Sequence, residues 1–290
     1  MTGRTDMAFE THQSLLSKGK KCRGIQSEKY EREDMTVSRI RVCSPEGAEA
    51  MGKPEGTYIT LSANRGWQAD NDGVLRAAHV FASLLQPLLP PSGTVMVVGL
   101  GNTRITPDSI GPAAVDRVIV TRHLIDTMPD MFSGMRPVCA VKTGVLGCTG
   151  LETAETIKGI CSRVRPAAVI AIDALASLSV HRLGCTFQMS DTGIVPGSGA
   201  CNARRALDKN TLGVPVIALG VPTVVDADTI VADALKGMGE GARQPDFPDF
   251  LVTPKDIDAL VEKGAKVLGY AINLALQGDM SVADMEQFLC

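Results

Sequence analysis

Apolar and polar positions recur with two different periods along this 290-residue chain, and the switches between them mark its elements. Val37, Ile40 and Val42, spaced by polar residues, predict a strand over 36–42, and 56–61 predicts a second. These two are expected to pair as a small sheet at one edge of the core. The runs 94–99 and 167–172 are almost wholly apolar and rich in β-branched residues, the pattern of strands buried on both faces. Further strands are expected at 137–141 and 214–220. Helical spacing places residues 75, 78, 81, 82, 85 and 88 on one face of a helix over 72–89, which Pro90-Pro91 stops. Helices also fit 152–164 and 254–276, and 113–128 reads as a helix with a short strand. Residues 1–35 are polar and weakly periodic, so they read as an arm outside the core. The Gly- and Pro-rich stretch 236–250 reads as a surface loop or short hairpin.

Strands alternating with helices imply a parallel sheet covered on both faces. The expectation is a single α/β domain over 36–290, built in three layers around a mostly parallel sheet, with no internal repeat. Composition agrees: 44% of residues are apolar, enough for one large core. A net charge of -3 without a Lys/Arg cluster argues against direct nucleic-acid binding or an anionic membrane surface. No apolar run approaches the roughly 20 residues needed to span a bilayer, and no secretory signal opens the chain, so a cytoplasmic location is expected.

The candidate chemistry lies where the strongest strands stop. Asp108 follows the glycine loop Gly99-Leu100-Gly101-Asn102, and Asp173 directly ends the run 167–172. Ligands of open α/β sheets bind at that edge. Asp108 after Thr106-Pro107 is equally well read as a first-turn acid complementing a helix dipole. Asp173, in an apolar neighbourhood, is the stronger functional candidate, although it also fits an acid that ties down a loop. Two converging carboxylates suit hydrolysis: one takes a proton from water while the other, protonated, polarises the carbonyl or serves the leaving amine. Gly99, Gly101 and Asn102 are candidate oxyanion donors or substrate-loop residues. Arg104 stands where a dinucleotide fingerprint needs its third glycine, which weakens that reading. Asp191-Thr192-Gly193 imitates the pepsin triplet without its all-β, two-lobed context, so Asp191 is read as a loop-fixing or supporting acid, with Ser198 and Gly199 in a turn nearby. The eight cysteines and four histidines lack metal-ligand spacing, and no cofactor or metal is expected. Cys148 and Cys185 are the better thiol candidates and His123 the candidate base, each more simply explained as structural.

Several stretches, spread in order over the chain, resemble the germination protease family. They include Gly3-Arg4-Thr5-Asp6-Met7-Ala8, Gly99-Leu100-Gly101-Asn102 with Thr106-Pro107-Asp108-Ser109-Ile110-Gly111-Pro112, and Gly147-Cys148-Thr149-Gly150-Leu151-Glu152-Thr153. Ala171-Ile172-Asp173-Ala174-Leu175-Ala176-Ser177 and Ser190-Asp191-Thr192-Gly193-Ile194 extend the match. The resemblance implies an endopeptidase that degrades small acid-soluble, DNA-binding spore proteins at germination. It further implies Asp108 and Asp173 as catalytic acids, a tetramer, a spore-core location and a zymogen that removes its own propeptide. Thr5-Asp6-Met7-Ala8-Phe9-Glu10 is similar to the cleavage sequence of those spore proteins, which points to a cut between Asp6 and Met7 and a propeptide of residues 1–6. The loop at 236–250 is shorter than in typical members. The glycine loop and strand-end acid also look similar to hydrogenase-maturation endopeptidases, which recognise a metal-bound partner. A protein that holds a small anion without catalysis is the remaining alternative.

Overall fold

A computed structural model describes residues 5–19, 23–197, 204–235, 250–278 and 280–289. The loop expected at 236–250 therefore lies, but for its last residue, outside the described residues, as do Ser198 and Gly199. Among the described residues nine strands form one sheet: β1 (Ile25–Arg32), β2 (Met35–Val42), β3 (Gly56–Ser62), β4 (Val95–Leu100), β5 (Val138–Gly144), β6 (Ala168–Ser177), β7 (Thr186–Ser190), β8 (Val216–Asp226) and β9 (Leu251–Val252). Their order is β1-β2-β3-β7-β8-β6-β4-β5, with β9 on β8.

Among these strands the pairs β4/β5, β4/β6 and β6/β8 are parallel and the other five antiparallel, so the sheet is mixed and not mostly parallel. The difference comes from β7, a short strand with polar positions that the hydropathy pattern does not reveal. It runs antiparallel to both β3 and β8 and joins the N-terminal strands to the parallel half. The β2/β3 pair forms as expected, but as a continuation of the main sheet. β1 closes on β2 through Glu33 and Asp34, both at positive φ, which is the twist a two-residue hairpin needs.

Alternation along β4 explains why helices cover its two faces. Val95 and Val97 join one apolar cluster with Phe81, Leu85, Leu268 and Ile272, contributed by helices Asn71–Leu85 and Ile257–Gln277. Met96, Val98 and Leu100 join another with Ile157 and Cys161 of helix Thr153–Val164. Asp70 starts the first of these helices by accepting from the Gly73 N–H at 2.7 Å, and helix capping of this kind contributes about 1 kcal/mol. Asn273 is buried in the long C-terminal helix because both ends of its amide are used: Oδ1 accepts from Ile119 N–H at 2.9 Å and Nδ2 donates to Arg117 O at 2.8 Å. That contact holds residues 118–119 outside the sheet, so the short strand expected within 113–128 does not form; helices Ile110–Val115 and Arg122–Thr127 occupy the stretch.

The N-terminal residues also depart from the expected arm. Helix Ala8–Ser17 packs on β2 and β3, Met7 and Ala8 are fully buried, and Glu10 and His12 are buried with them. Burying charged and polar residues is costly without partners. Glu10 finds them on distant elements that no local pattern announces.

Candidate active site

β4 ends at Leu100, and Gly101 turns the chain back with φ +109°. A Cβ on Gly101 would lie 1.9 Å from Asp108 O, so the return is open to glycine alone. The Asn102 N–H then donates to Asp108 Oδ2 at 2.9 Å and to Asp108 O at 3.1 Å, which fixes the acid inside its own loop. Gly111 presses the following turn onto the sheet: a Cβ there would lie 2.3 Å from Leu100 O and 2.5 Å from Ile172 O. The loop that carries Asp108 is thus seated over the ends of β4 and β6.

Asp173 does not end its strand, contrary to the hydropathy reading. β4 pairs with β6 as far as Ile172, whereas β8 follows β6 to Ser177 opposite Val225. Asp173 is therefore the first residue of β6 beyond the reach of β4. It is 6% exposed, and its Oδ1 accepts from the Ala174 N–H at 3.0 Å. Burial above all, and then the charge of Asp108, push its carboxyl up to about 8, against the opposing backbone N–H groups of Ala174 and Gly197. Burial also raises Asp108, opposed by the Asn102 N–H and the Arg204 charge. Both acids, with Gly101 and Arg204, line one cavity of about 440 Å³.

A second cavity of about 470 Å³ shares Asp173 and is lined also by Lys53, Tyr58 and Gln188. Asp6 lines both cavities. It lies along the edge of β6 that β8 does not occupy: its N–H donates to Ala176 O at 3.1 Å, and the Ala176 N–H donates to its Oδ2 at 2.8 Å. Asp6 O accepts from Lys53 Nζ at 3.0 Å and from Gln188 Nε2 at 3.1 Å. Glu10 anchors the other side. Its carboxylate accepts from Ser177 Oγ and the Leu178 N–H, both at 2.7 Å, and from Thr5 Oγ1 at 2.5 Å, with Arg182 Nε 3.0 Å away.

The remaining sequence candidates fall elsewhere. Gly99 is buried with Gly111 O against it, and neither Gly99 nor Asn102 lines either cavity. Asp191 Oδ1 accepts from the Thr57 N–H at 2.7 Å, fastening the end of β7 to the start of β3. His123 sits on helix Arg122–Thr127, Cys148 is exposed on helix Leu146–Thr149, and Cys185 lines a separate cavity with Leu183 and Leu260. Among the described residues no three His, Cys, Asp or Glu side chains are grouped to hold a metal ion, and no helix is long and apolar enough to cross a membrane. Lys53, Gln188 and Arg204 escaped the sequence reading because nothing local distinguishes a buried Lys or Gln from an exposed one.

Known proteins match this chain along its length. The profile of the germination protease family matches residues 3–248. A germination protease of Clostridium perfringens (strain ATCC 13124) is 41% identical over 320 aligned positions, covering 99% of this chain and 98% of the relative. One from Caldanaerobacter subterraneus subsp. tengcongensis is 40% identical, with the same coverage, and one from Bacillus cytotoxicus is 42% identical over 87% of this chain and 72% of its own length. The chain belongs to the germination protease family, a family of spore proteases.

Proposed function

We propose that this protease is an endopeptidase of the aspartic type that initiates the degradation of small acid-soluble spore proteins in the spore core, with Asp108 and Asp173 acting as one catalytic unit. The observation that carries the reading is the shared cavity in which two carboxylates sit with displaced proton affinities. With its carboxyl held near 8, Asp173 keeps a proton at neutral pH and is the acid; Asp108, beside the Arg204 charge, is the base. Asp108 takes a proton from water as the water oxygen bonds to the carbonyl carbon. Asp173 gives its proton to the amide nitrogen as the C–N bond breaks. The pair ends with one proton, as it began, and acts as a single titrating unit.

The N-terminal segment supports a zymogen. Asp6 is fastened to the free edge of β6 at Ala176, the kind of edge on which extended peptides dock, and it lines both cavities that Asp173 lines. We read this segment as a substrate held in cis, with residues 1–6 as the propeptide. The helices on both faces of the sheet are consistent with a three-layer arrangement similar to hydrogenase-maturation endopeptidases, and tetramers are the expected assembly. Incubating purified protein with a small acid-soluble spore protein tests the reading: the wild type should cut it, and Asp108→Asn and Asp173→Asn should not. Turnover by either folded variant at the wild-type rate would refute the paired mechanism.

A further inference from the structure

We infer that Lys53 and Gln188 form the oxyanion site of this protease, donating to the carbonyl oxygen of the bond that is cut. The inference rests on reading Asp6–Met7 as a bond cleaved in cis. Asp6 O accepts from Lys53 Nζ at 3.0 Å and from Gln188 Nε2 at 3.1 Å, within the range where donors stabilise a developing oxyanion. Both donors, Asp6 and Asp173 line the same cavity, so the gripped carbonyl and the acid share one space.

The two donors are held in place from behind. Gln188 belongs to β7 and its Oε1 accepts from the Ala8 N–H at 2.8 Å, which turns Nε2 toward Asp6 O. One amide therefore spans the Asp6–Met7 bond, gripping the carbonyl on one side and a backbone N–H two residues on. Lys53 follows Gly52, the left-handed C-cap of helix Pro45–Met51, and its own N–H donates to Ala48 O at 3.2 Å, so its backbone is fixed. Burial lowers its proton affinity while the nearby Asp6 and Glu10 carboxylates oppose that loss. The sequence candidates for this role do not reach the carbonyl: the Asn102 N–H is committed to Asp108.

In the reaction, the water oxygen bonds to the Asp6 carbonyl carbon and the carbonyl π pair moves onto oxygen, where the Lys53 ammonium and the Gln188 amide N–H receive it. Asp108 takes the water proton. The pair then re-forms C=O, the C–N bond to Met7 breaks, and Asp173 protonates the leaving nitrogen. The products are a C-terminal Asp6 and a free Met7 amine.

The test uses the full chain and two readouts: appearance of a Met7 terminus by mass spectrometry, and kcat and KM on a peptide containing the Thr-Asp-Met-Ala-Phe-Glu sequence. Lys53→Met should slow both reactions by about 10²–10³-fold, with the loss in kcat and KM little changed, and Lys53→Arg should recover part of it. Thermal melting checks that the variant is folded; if Lys53→Met is not, Gln188→Met, expected to lose activity in the same way, decides the question. A Lys53 that only anchors the N-terminus would change melting or KM and leave kcat alone, and that result overturns the inference. Wild-type protein that produces a Met7 terminus while folded Lys53→Met and Gln188→Met keep pace also overturns it. Wild-type protein that never produces the Met7 terminus removes the cis-cleavage reading itself, and the inference with it.

Discussion

The parallel half of the sheet (β8, β6, β4 and β5) and the antiparallel half (β1, β2, β3 and β7) meet at β7/β8, and they contribute different things. The parallel half brings Asp108 and Asp173 to the point where β4 stops and β6 continues. Its inner strands β4, β6 and β8 are buried almost throughout, which suits carboxylates that must be shielded from water to keep a displaced proton. The antiparallel half supplies Gln188 from β7 and Lys53 from the turn before β3, and it carries the helix that follows the docked segment. On the proposed mechanism, the acid–base pair comes from one half and the donors to the peptide carbonyl from the other. That mechanism predicts that substitutions at Asp108, Asp173, Lys53 and Gln188 lower kcat, whereas substitutions at residues that only anchor the segment act on stability.

The strongest test acts on the parallel half. Asp108→Asn and Asp173→Asn should each reduce kcat by about 10²–10⁴-fold, and the double variant should be no worse than the worse single one, because the acids work as a unit. Steady-state kinetics on the two single variants and the double variant tests the proposed pairing; additive losses would separate the acids into independent roles. Gly101→Ala comes next. A Cβ 1.9 Å from Asp108 O at φ +109° should cost about 1–3 kcal/mol in urea denaturation and displace the acid enough to lower kcat by about 10²-fold.

A substitution beyond that half should act on the grip. Glu10→Ala leaves Ser177, Leu178 N–H and Arg182 without the carboxylate, and stability should fall by about 2–4 kcal/mol, read by thermal or urea unfolding, with the Asp108/Asp173 pH profile unchanged. A smaller effect separates the halves by pH. Because Asp173 binds its proton more tightly folded than unfolded, its contribution to stability is complete below the ordinary carboxylate range and is lost as pH rises through about 8. Asp173→Asn should remove that decline, on the order of a few kcal/mol between about pH 5 and about pH 9, whereas Asp191→Asn should leave it in place. Activity should fall through the same alkaline range in the wild type. The smallest expected effect is none: chelator or thiol alkylation should leave the initial rate intact, and chelator-sensitive activity restored by a divalent ion would call for a metal in the site.

The parallel half was largely legible in the sequence because its signals are local. Val95 to Leu100 and Val169 to Ile172 are apolar whichever neighbour they meet, and Pro90-Pro91 marks the preceding helix end without reference to the fold. The antiparallel half was not, because its signals are pairwise. Thr186–Ser190 carries polar residues and is a strand only through β3 and β8. Asp6, Glu10 and Lys53 read as solvated charges until residues far along the chain enclose them. The same limit applied to Asp173: its burial was readable from Ile172 and Ala174, but the continuation of β6 past it depends on the length of β8.

The offset between β4 and β8 has a consequence for how the protein keeps among its neighbours. Backbone groups on an unoccupied strand edge are a template for any extended chain, and proteins generally cover such edges. Here the covering is the protein's own beginning, with Asp6 taking both the N–H and the C=O of Ala176. While Asp6 and Met7 remain joined, the cover is tethered and its local concentration does not depend on dilution. Cleavage there, as proposed, would turn a tethered cover into a segment free to diffuse away. On that proposal the uncut chain would be the form suited to long storage at high protein density, and the cut chain would trade that safety for an edge able to take hold of another polypeptide.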